Sequence, residues 1–241
     1  MELWKSFIHS LDFLSFVKVQ NHLNMASNEK QVSYKTTNSY STLNQLNENT
    51  KNVWISFHGL GYLSRYFIRY FSGLNKEENY IIAPQAPSKY YQEKDFQYVG
   101  ANWLTRENTL EDTKNILNYL DAIFQTENLP ADRRLILFGY SQGVSVCMRW
   151  MASRKIQCDM LVIHSGGIPK ELVSENFAYL RKAEVVLVYG KDDGYLTPEM
   201  EKSQSEFAKK LFGEKLSIVP FEGKHEVNRE VIRKIASNTQ F

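Results

Sequence analysis

Gly139-Tyr140-Ser141-Gln142-Gly143 sets a serine between two glycines, directly after the apolar run Arg134–Tyr140 and before the helical pattern Val144–Met151. That is the strand–turn–helix setting of a nucleophile elbow. A serine on such a tight turn needs small neighbours, so that strand and helix can approach one another. The turn also lifts Oγ to the carboxyl end of a sheet, and the helix N-terminus below it favours developing negative charge.

A serine hydroxyl becomes a useful nucleophile when a base takes its proton, and that base is commonly a histidine oriented by a carboxylate. Where the serine sits on a strand-to-helix elbow, the chain order is Ser, then Asp or Glu, then His. Of the five histidines, His9, His22, His58, His164 and His225, only the last two follow Ser141. His164 ends an apolar run and reads as a partly buried structural residue. His225 follows the last apolar run, in Phe221-Glu222-Gly223-Lys224-His225-Glu226, and is assigned as general base. The carboxylate should follow the preceding run, Val185–Tyr189, where Gly190-Lys191-Asp192-Asp193-Gly194 stands. Both aspartates qualify, but a turn sends successive side chains apart, so one faces His225 and the other caps or solvates the turn. Asp193 is the preferred of the two. The oxyanion needs two backbone N–H donors: Gln142 after the nucleophile, and Leu60 in His58-Gly59-Leu60-Gly61. Neither G-x-x-x-x-G-K-[ST] nor G-x-G-x-x-G occurs, so the glycine loop does not read as a phosphate cradle.

The elements that must position these residues follow a regular rhythm. Asn52–Phe57, Tyr80–Pro84, Met160–His164 and Val185–Tyr189 are short apolar runs suited to buried strands, as is Arg134–Tyr140. Leu216–Phe221 is a further strand, with Pro220 marking an edge. Between them, helical spacing appears at Leu63, Phe67, Phe71 and Leu74, and in Leu110–Phe124 with Leu110, Ile116, Leu117, Leu120, Ile123 and Phe124 on one face. Thr197-Pro198 starts another helix that runs to Gly213. His225–Ile235 closes the chain with Val227, Val231, Ile232 and Ile235 on one face. Gln31–Thr36 alternates and predicts a solvent-edge strand, whereas Gln85–Arg106 reads as a long irregular stretch. Strands alternating with helices define the fold class as α/β, a single domain with a mostly parallel, doubly wound sheet and helices on both faces.

The length of 241 residues suits one such domain, and the hydrophobic fraction of 43% supports a substantial core. A net charge of +2 implies no broad nucleic-acid surface. Cys147 and Cys158 have no ligand company and read as free thiols of a reducing compartment. Residues 1–25 form an apolar extension and residues 26–241 the domain. In the extension Leu3, Phe7, Leu11 and Leu14 recur at helical spacing. Ser10, Asp12 and Ser15 interrupt it, no A-x-A-like cleavage site follows, and it is too short and polar to span a bilayer. A packing helix, a helix lying on a membrane surface, and sequence upstream of a start at Met25 are the three readings. A cytoplasmic location is expected from the missing export signal and sparse cysteine.

Taken in order, HGLG (His58–Gly61), YIIAPQAP, GYSQG (Gly139–Gly143), GKDDG (Gly190–Gly194) and GKHE (Gly223–Glu226) resemble the phospholipase/carboxylesterase family of α/β hydrolases, from about Asn52 to Ile235. The resemblance implies an α/β-hydrolase fold and a Ser–Asp–His triad, with neither metal nor organic cofactor. Ser141 matches the nucleophile, Asp193 the acid, His225 the base, and Leu60 and Gln142 the oxyanion donors. It also implies an ester substrate, small or acyl, and it places the APQAP stretch and Trp103 against the acyl pocket. The group includes acyl-protein thioesterases and lysophospholipases, which stand as alternatives to a carboxylesterase. A catalytically silent binding protein on the same fold is a further alternative. This chain departs from the family's wording at Tyr62, where an acidic residue is common, at Gly194-Tyr195 after the acid, and at Lys224 before the base. In the irregular stretch, Tyr90, Tyr91, Phe96, Tyr98 and Trp103 could wall an acyl site. Lys191 and Lys224 flank the acid and base, where surface lysine is the default reading.

Overall fold

The computed structural model describes residues 28–239. The apolar N-terminal extension therefore lies outside the described residues. Residues 28–37 carry no regular element, so the strand expected over Gln31–Thr36 does not form. Val32 and Tyr34, the apolar half of that alternation, are both exposed; a strand with no apolar surface to cover gains nothing from pairing there.

The described residues from Asn38 onward form a compact unit built on nine strands. They are β1 (Tyr40–Leu43), β2 (Asn52–Phe57), β3 (Asn79–Pro84), β4 (Ser88–Tyr91), β5 (Val99–Asn102), β6 (Arg134–Tyr140), β7 (Met160–His164), β8 (Glu184–Gly190) and β9 (Leu216–Phe221). Seven of them make one sheet in the order β1-β3-β2-β6-β7-β8-β9. All its pairings are parallel except that of β1 with β3. The chain starts winding at β2 and β3, then reverses direction across the sheet at β6. Ligand sites of open α/β sheets lie at such a reversal, beyond the carboxyl ends of the strands. β9 is the edge strand that Pro220 signalled.

The central strands read as unbroken apolar runs because both faces are covered. Period-two alternation sorts their side chains. Ile55, Phe57, Leu137, Ile163 and Leu187 join one apolar cluster, and Trp54, Phe138, Val162 and Val188 join the other. Among the described residues five α-helices flank the sheet: α1 (Ser64–Phe67), α2 (Thr109–Glu127), α3 (Gln142–Arg154), α4 (Pro198–Phe212) and α5 (Arg229–Ala236). Thr197 caps α4 by accepting the Met200 N–H, and Asn228 caps α5 by accepting those of Glu230 and Val231.

Four expectations need correction. The helix expected over Leu63–Leu74 is a single α-turn followed by a 3₁₀ turn, Ile68–Phe71, which still buries Phe67 and Phe71. Leu110 is 90% exposed although it is in phase with Leu117, because burial on α2 begins only at Ile116. The last helix starts at Arg229, leaving His225 in the loop before it. The stretch Gln85–Arg106 contains an antiparallel hairpin, β4 with β5, pairing Ser88 with Asn102 and Tyr91 with Val99. Its first strand is exposed at every position, so it leaves no inward–outward alternation to read.

Candidate active site

The elbow is built by exclusion of side chains. A Cβ on Gly139 would lie 2.6 Å from the Val144 Cα, and one on Gly143 would lie 2.2 Å from the Phe57 carbonyl oxygen. Any residue but glycine at either position forces α3 away from the ends of β2 and β6. Between them Ser141 holds φ 52° and ψ −122°, a conformation that costs on the order of 1–3 kcal/mol for a residue with a Cβ. Ser141 precedes α3 as its N-cap, yet its hydroxyl makes no capping bond. Its Oγ instead stands 3.0 Å from the His225 Nε2.

Asp193 lies beyond β8, His225 beyond β9, and the two loops meet. The Lys191 N–H donates to the Phe221 carbonyl and the Asp192 N–H to that of Gly223, each at 2.9 Å. Gly190 permits the approach: a Cβ there would sit 2.4 Å from the Gly223 and Lys224 carbonyl oxygens. The His225 Nδ1 stands 2.8 Å from the Asp193 Oδ2, and the other oxygen of that carboxylate accepts the Tyr195 N–H at 2.9 Å. A carboxylate only accepts, so Nδ1 carries the proton and Nε2 is free to accept from the Ser141 hydroxyl. Asp193 is buried and Asp192 exposed, which separates the two aspartates that sequence left side by side. Lys191 pairs with Glu222, and Lys224 is exposed.

On the other side of Ser141 lies the His58–Gly61 loop. A Cβ on Gly59 would fall 3.1 Å from that of Ser141, so the loop backbone runs against the serine. Gln142 is the first residue of α3, and its N–H has no acceptor within the helix. His58 is fully buried. Its Nε2 accepts the Ala86 N–H at 3.1 Å, so its Nδ1–H donates to the Gly59 carbonyl at 2.8 Å. Burial pushes this imidazole down to about 4, which keeps it neutral in that tautomer. In a trans peptide the carbonyl and the following N–H point in opposite directions. By holding the Gly59 carbonyl, His58 turns the Leu60 N–H the other way.

Trp103, Ala101 and Gln92 also hold this loop. The Trp103 indole N–H donates to the His58 carbonyl at 2.8 Å, and the ring is 1% exposed. Sequence placed Trp103 in the wall of an acyl pocket; here it is enclosed beneath the loop. The Gln142 carboxamide bridges the elbow to the hairpin side, accepting the Trp103 N–H at 2.9 Å and donating to the Asn102 Oδ1 and the Leu104 carbonyl. Gly61 donates its N–H to the Ala101 carbonyl at 2.9 Å, and its own carbonyl accepts from Gln92. Tyr90, Tyr91, Phe96 and Tyr98 are exposed on or beside the hairpin, as is Leu60 on the loop. The roles of the His58 ring and the Gln142 side chain escaped sequence reasoning, since nothing in spacing shows what a ring touches.

Cys147 and Cys158 are buried and unbridged, and burial pushes the Cys158 thiol up to about 12. Among the described residues no helix is long and apolar enough to cross a membrane. No three His, Cys, Asp or Glu side chains among them gather as a metal site would require.

The winding of the sheet, with an elbow after β6 and polar loops after β8 and β9, is that of an α/β hydrolase. Residues 38–241 match the phospholipase/carboxylesterase family, and the chain belongs to it. Solved structures agree on the fold. Acyl-protein thioesterase 2 of Zea mays is similar with a TM-score of 0.62 at 15% identity, over 83% of this chain and 97% of that one. A carboxylesterase of Bacillus cereus gives 0.59 at 12%, over 84% and 93%. A monoacylglycerol lipase of Paleococcus ferrophilus gives 0.56 at 13%, over 85% and 100%. No curated protein sequence matches the chain.

Proposed function

We propose that the chain is a serine carboxylesterase that acts through an acyl-enzyme. The observation that carries this reading is the continuous hydrogen-bonded line from Ser141 through His225 to Asp193 in a member of an esterase family. His225 takes the Ser141 proton at Nε2 as Oγ bonds to the ester carbonyl carbon. The carbonyl oxygen becomes an oxyanion, held by the N–H groups of Leu60 and Gln142. The tetrahedral adduct collapses, the leaving alcohol takes the proton from His225, and the acyl group stays on Ser141. Water then attacks the acyl-enzyme, gives its proton to His225, and the acid leaves as Oγ is reprotonated. Asp193 holds the imidazole in its tautomer throughout and stays ionised.

Exposed aromatics on the hairpin beside the oxyanion loop favour a second reading, hydrolysis of long-chain lipid or acyl-protein esters. Hydrolysis of p-nitrophenyl esters from acetate to palmitate, with Ser141→Ala beside the wild type, separates the two. Turnover confined to short chains and lost in the variant supports the small-ester carboxylesterase. Turnover sustained to palmitate supports the long-chain reading. A wild type with no Ser141-dependent turnover and no labelling by a fluorophosphonate would make the chain a binding protein on a hydrolase fold.

A further inference from the structure

Tyr140 and His164 are direct neighbours across β6 and β7, and both side chains reach the loop that carries His225. His164 is entirely buried, in a cage of Phe138, Tyr140 and Phe221 rings. A polar ring in such surroundings must find partners for both nitrogens. Its Nε2 stands 3.1 Å from the Asn228 backbone nitrogen, which can only donate. The proton of the ring is therefore on Nδ1, which donates to the Ser165 Oγ at 3.0 Å. Burial, and secondarily the nearby His225, pushes this imidazole down to about 3, so Nε2 stays an acceptor at neutral pH. The Tyr140 hydroxyl donates to the His225 carbonyl at 3.0 Å. The backbone of His164 is also occupied, its carbonyl accepting the Ser141 N–H at 2.9 Å.

We propose that His164 is a positioning residue that, together with Tyr140, clasps the His225 loop to the Ser141 elbow. The Tyr140 hydroxyl holds the carbonyl of His225, and the His164 ring holds the N–H three residues on. Two fixed points, at the two ends of the His225-to-Asn228 backbone, restrict the movement of the segment that carries the imidazole. Since the same His164 peptide holds Ser141, nucleophile and base are referred to one strand end. Asn228 also caps α5, so the clasp joins that helix to the elbow as well. The inference rests on the reading of Ser141 and His225 as nucleophile and base.

The test compares His164→Phe, which fills the cage without an acceptor, with His164→Gln, whose Oε1 can reach the place of Nε2. In His164→Phe, kcat for p-nitrophenyl butyrate should fall by roughly 10²-fold while KM changes little, the effect of a base displaced by about 1 Å. His164→Gln should recover most of that loss. Proton NMR supplies a readout independent of turnover. The Nδ1–H of His225, bonded to Asp193, should give a downfield resonance in the wild type and in His164→Gln, and lose it to exchange in His164→Phe. The Asn228 amide should lose its protection in parallel. Equal kcat in wild type and His164→Phe, or equal damage in the Gln and Phe variants, overturns the clasp. Should His164→Phe fail to fold, Tyr140→Phe alone, which removes only the hydroxyl, must still broaden the His225 resonance. An unchanged resonance overturns the proposal. A wild type without Ser141-dependent turnover would refute the esterase reading, and the NMR comparison would still decide whether the clasp exists.

Discussion

The two flanks of the elbow solve the same problem with the same device and to different ends. On the β2 side a buried neutral histidine, His58, accepts one backbone N–H and uses its other nitrogen to turn the peptide before Leu60. On the β7 side another buried neutral histidine, His164, accepts the Asn228 N–H and uses its other nitrogen on Ser165. The first flank fixes only backbone dipoles and is open to solvent through Leu60 and the hairpin. The second holds the backbone of the His225 loop and is sealed by aromatic rings. The difference teaches that burial here follows what is being held. The Leu60 amide lies in an exposed loop, whereas the backbone that carries the His225 imidazole is held from a closed cage.

The comparison can be broken most severely at its shared centre. His225→Ala should lower kcat by on the order of 10⁴-fold or more, as in other triads that act as a unit. Asp193→Asn should cost about 10⁴-fold, while Asp192→Asn leaves kcat near the wild type, since its side chain is exposed. Equal losses at the two positions would contradict the arrangement found here.

On the oxyanion flank, Trp103→Phe removes the indole N–H from the His58 carbonyl. The lost bond, about 1 kcal/mol, should lower kcat/KM by a similar factor for every acyl chain length. A loss confined to long chains would return Trp103 to the pocket wall.

Both flanks should respond to acid. His58 binds its proton well below the ordinary 6.5, at about 4, and His164 lower still, at about 3. Unfolded chain takes up those protons first as pH falls, so the native state loses stability through this range. The thermal midpoint should hold above pH 6.5 and drop steadily towards pH 4. His58→Gln, which cannot take a proton, should flatten the slope. The smallest effect belongs to the hairpin: Tyr91→Ala should change the order of preference among acyl chains and leave the thermal midpoint where it was.

Ser141, Asp193 and His225 were legible because each lies just past a strongly apolar strand, and strand ends of a parallel sheet converge on one edge. The six strands from β2 to β9 that carry the main sheet were legible for the same reason. β1 was not: Tyr-Ser-Thr-Leu is short and half polar, and its antiparallel pairing with β3 is a tertiary fact. The hairpin escaped because Lys89, Tyr90 and Tyr91 all face solvent. His164 read as a structural histidine, which its burial supports, but its bond to the Asn228 N–H is a long-range tertiary contact that spacing does not show. Trp103 was singled out by the family resemblance and by its place in the irregular stretch; its bond to the His58 carbonyl was not legible, since an indole that serves a carbonyl and one that lines a pocket look alike in sequence.

On the proposed esterase reading, the hydrogen bonds between Gly61 and the hairpin couple two properties that selection would otherwise adjust separately. The exposed aromatics of the hairpin are pinned, through Ala101 and Gln92, to Gly61, the residue that follows Leu60. A new hairpin acquired for a new acyl group would arrive with its own oxyanion geometry. On that reading substrate range and turnover are inherited together, and a graft that changes one should need a compensating change at Gln92 before it recovers the other.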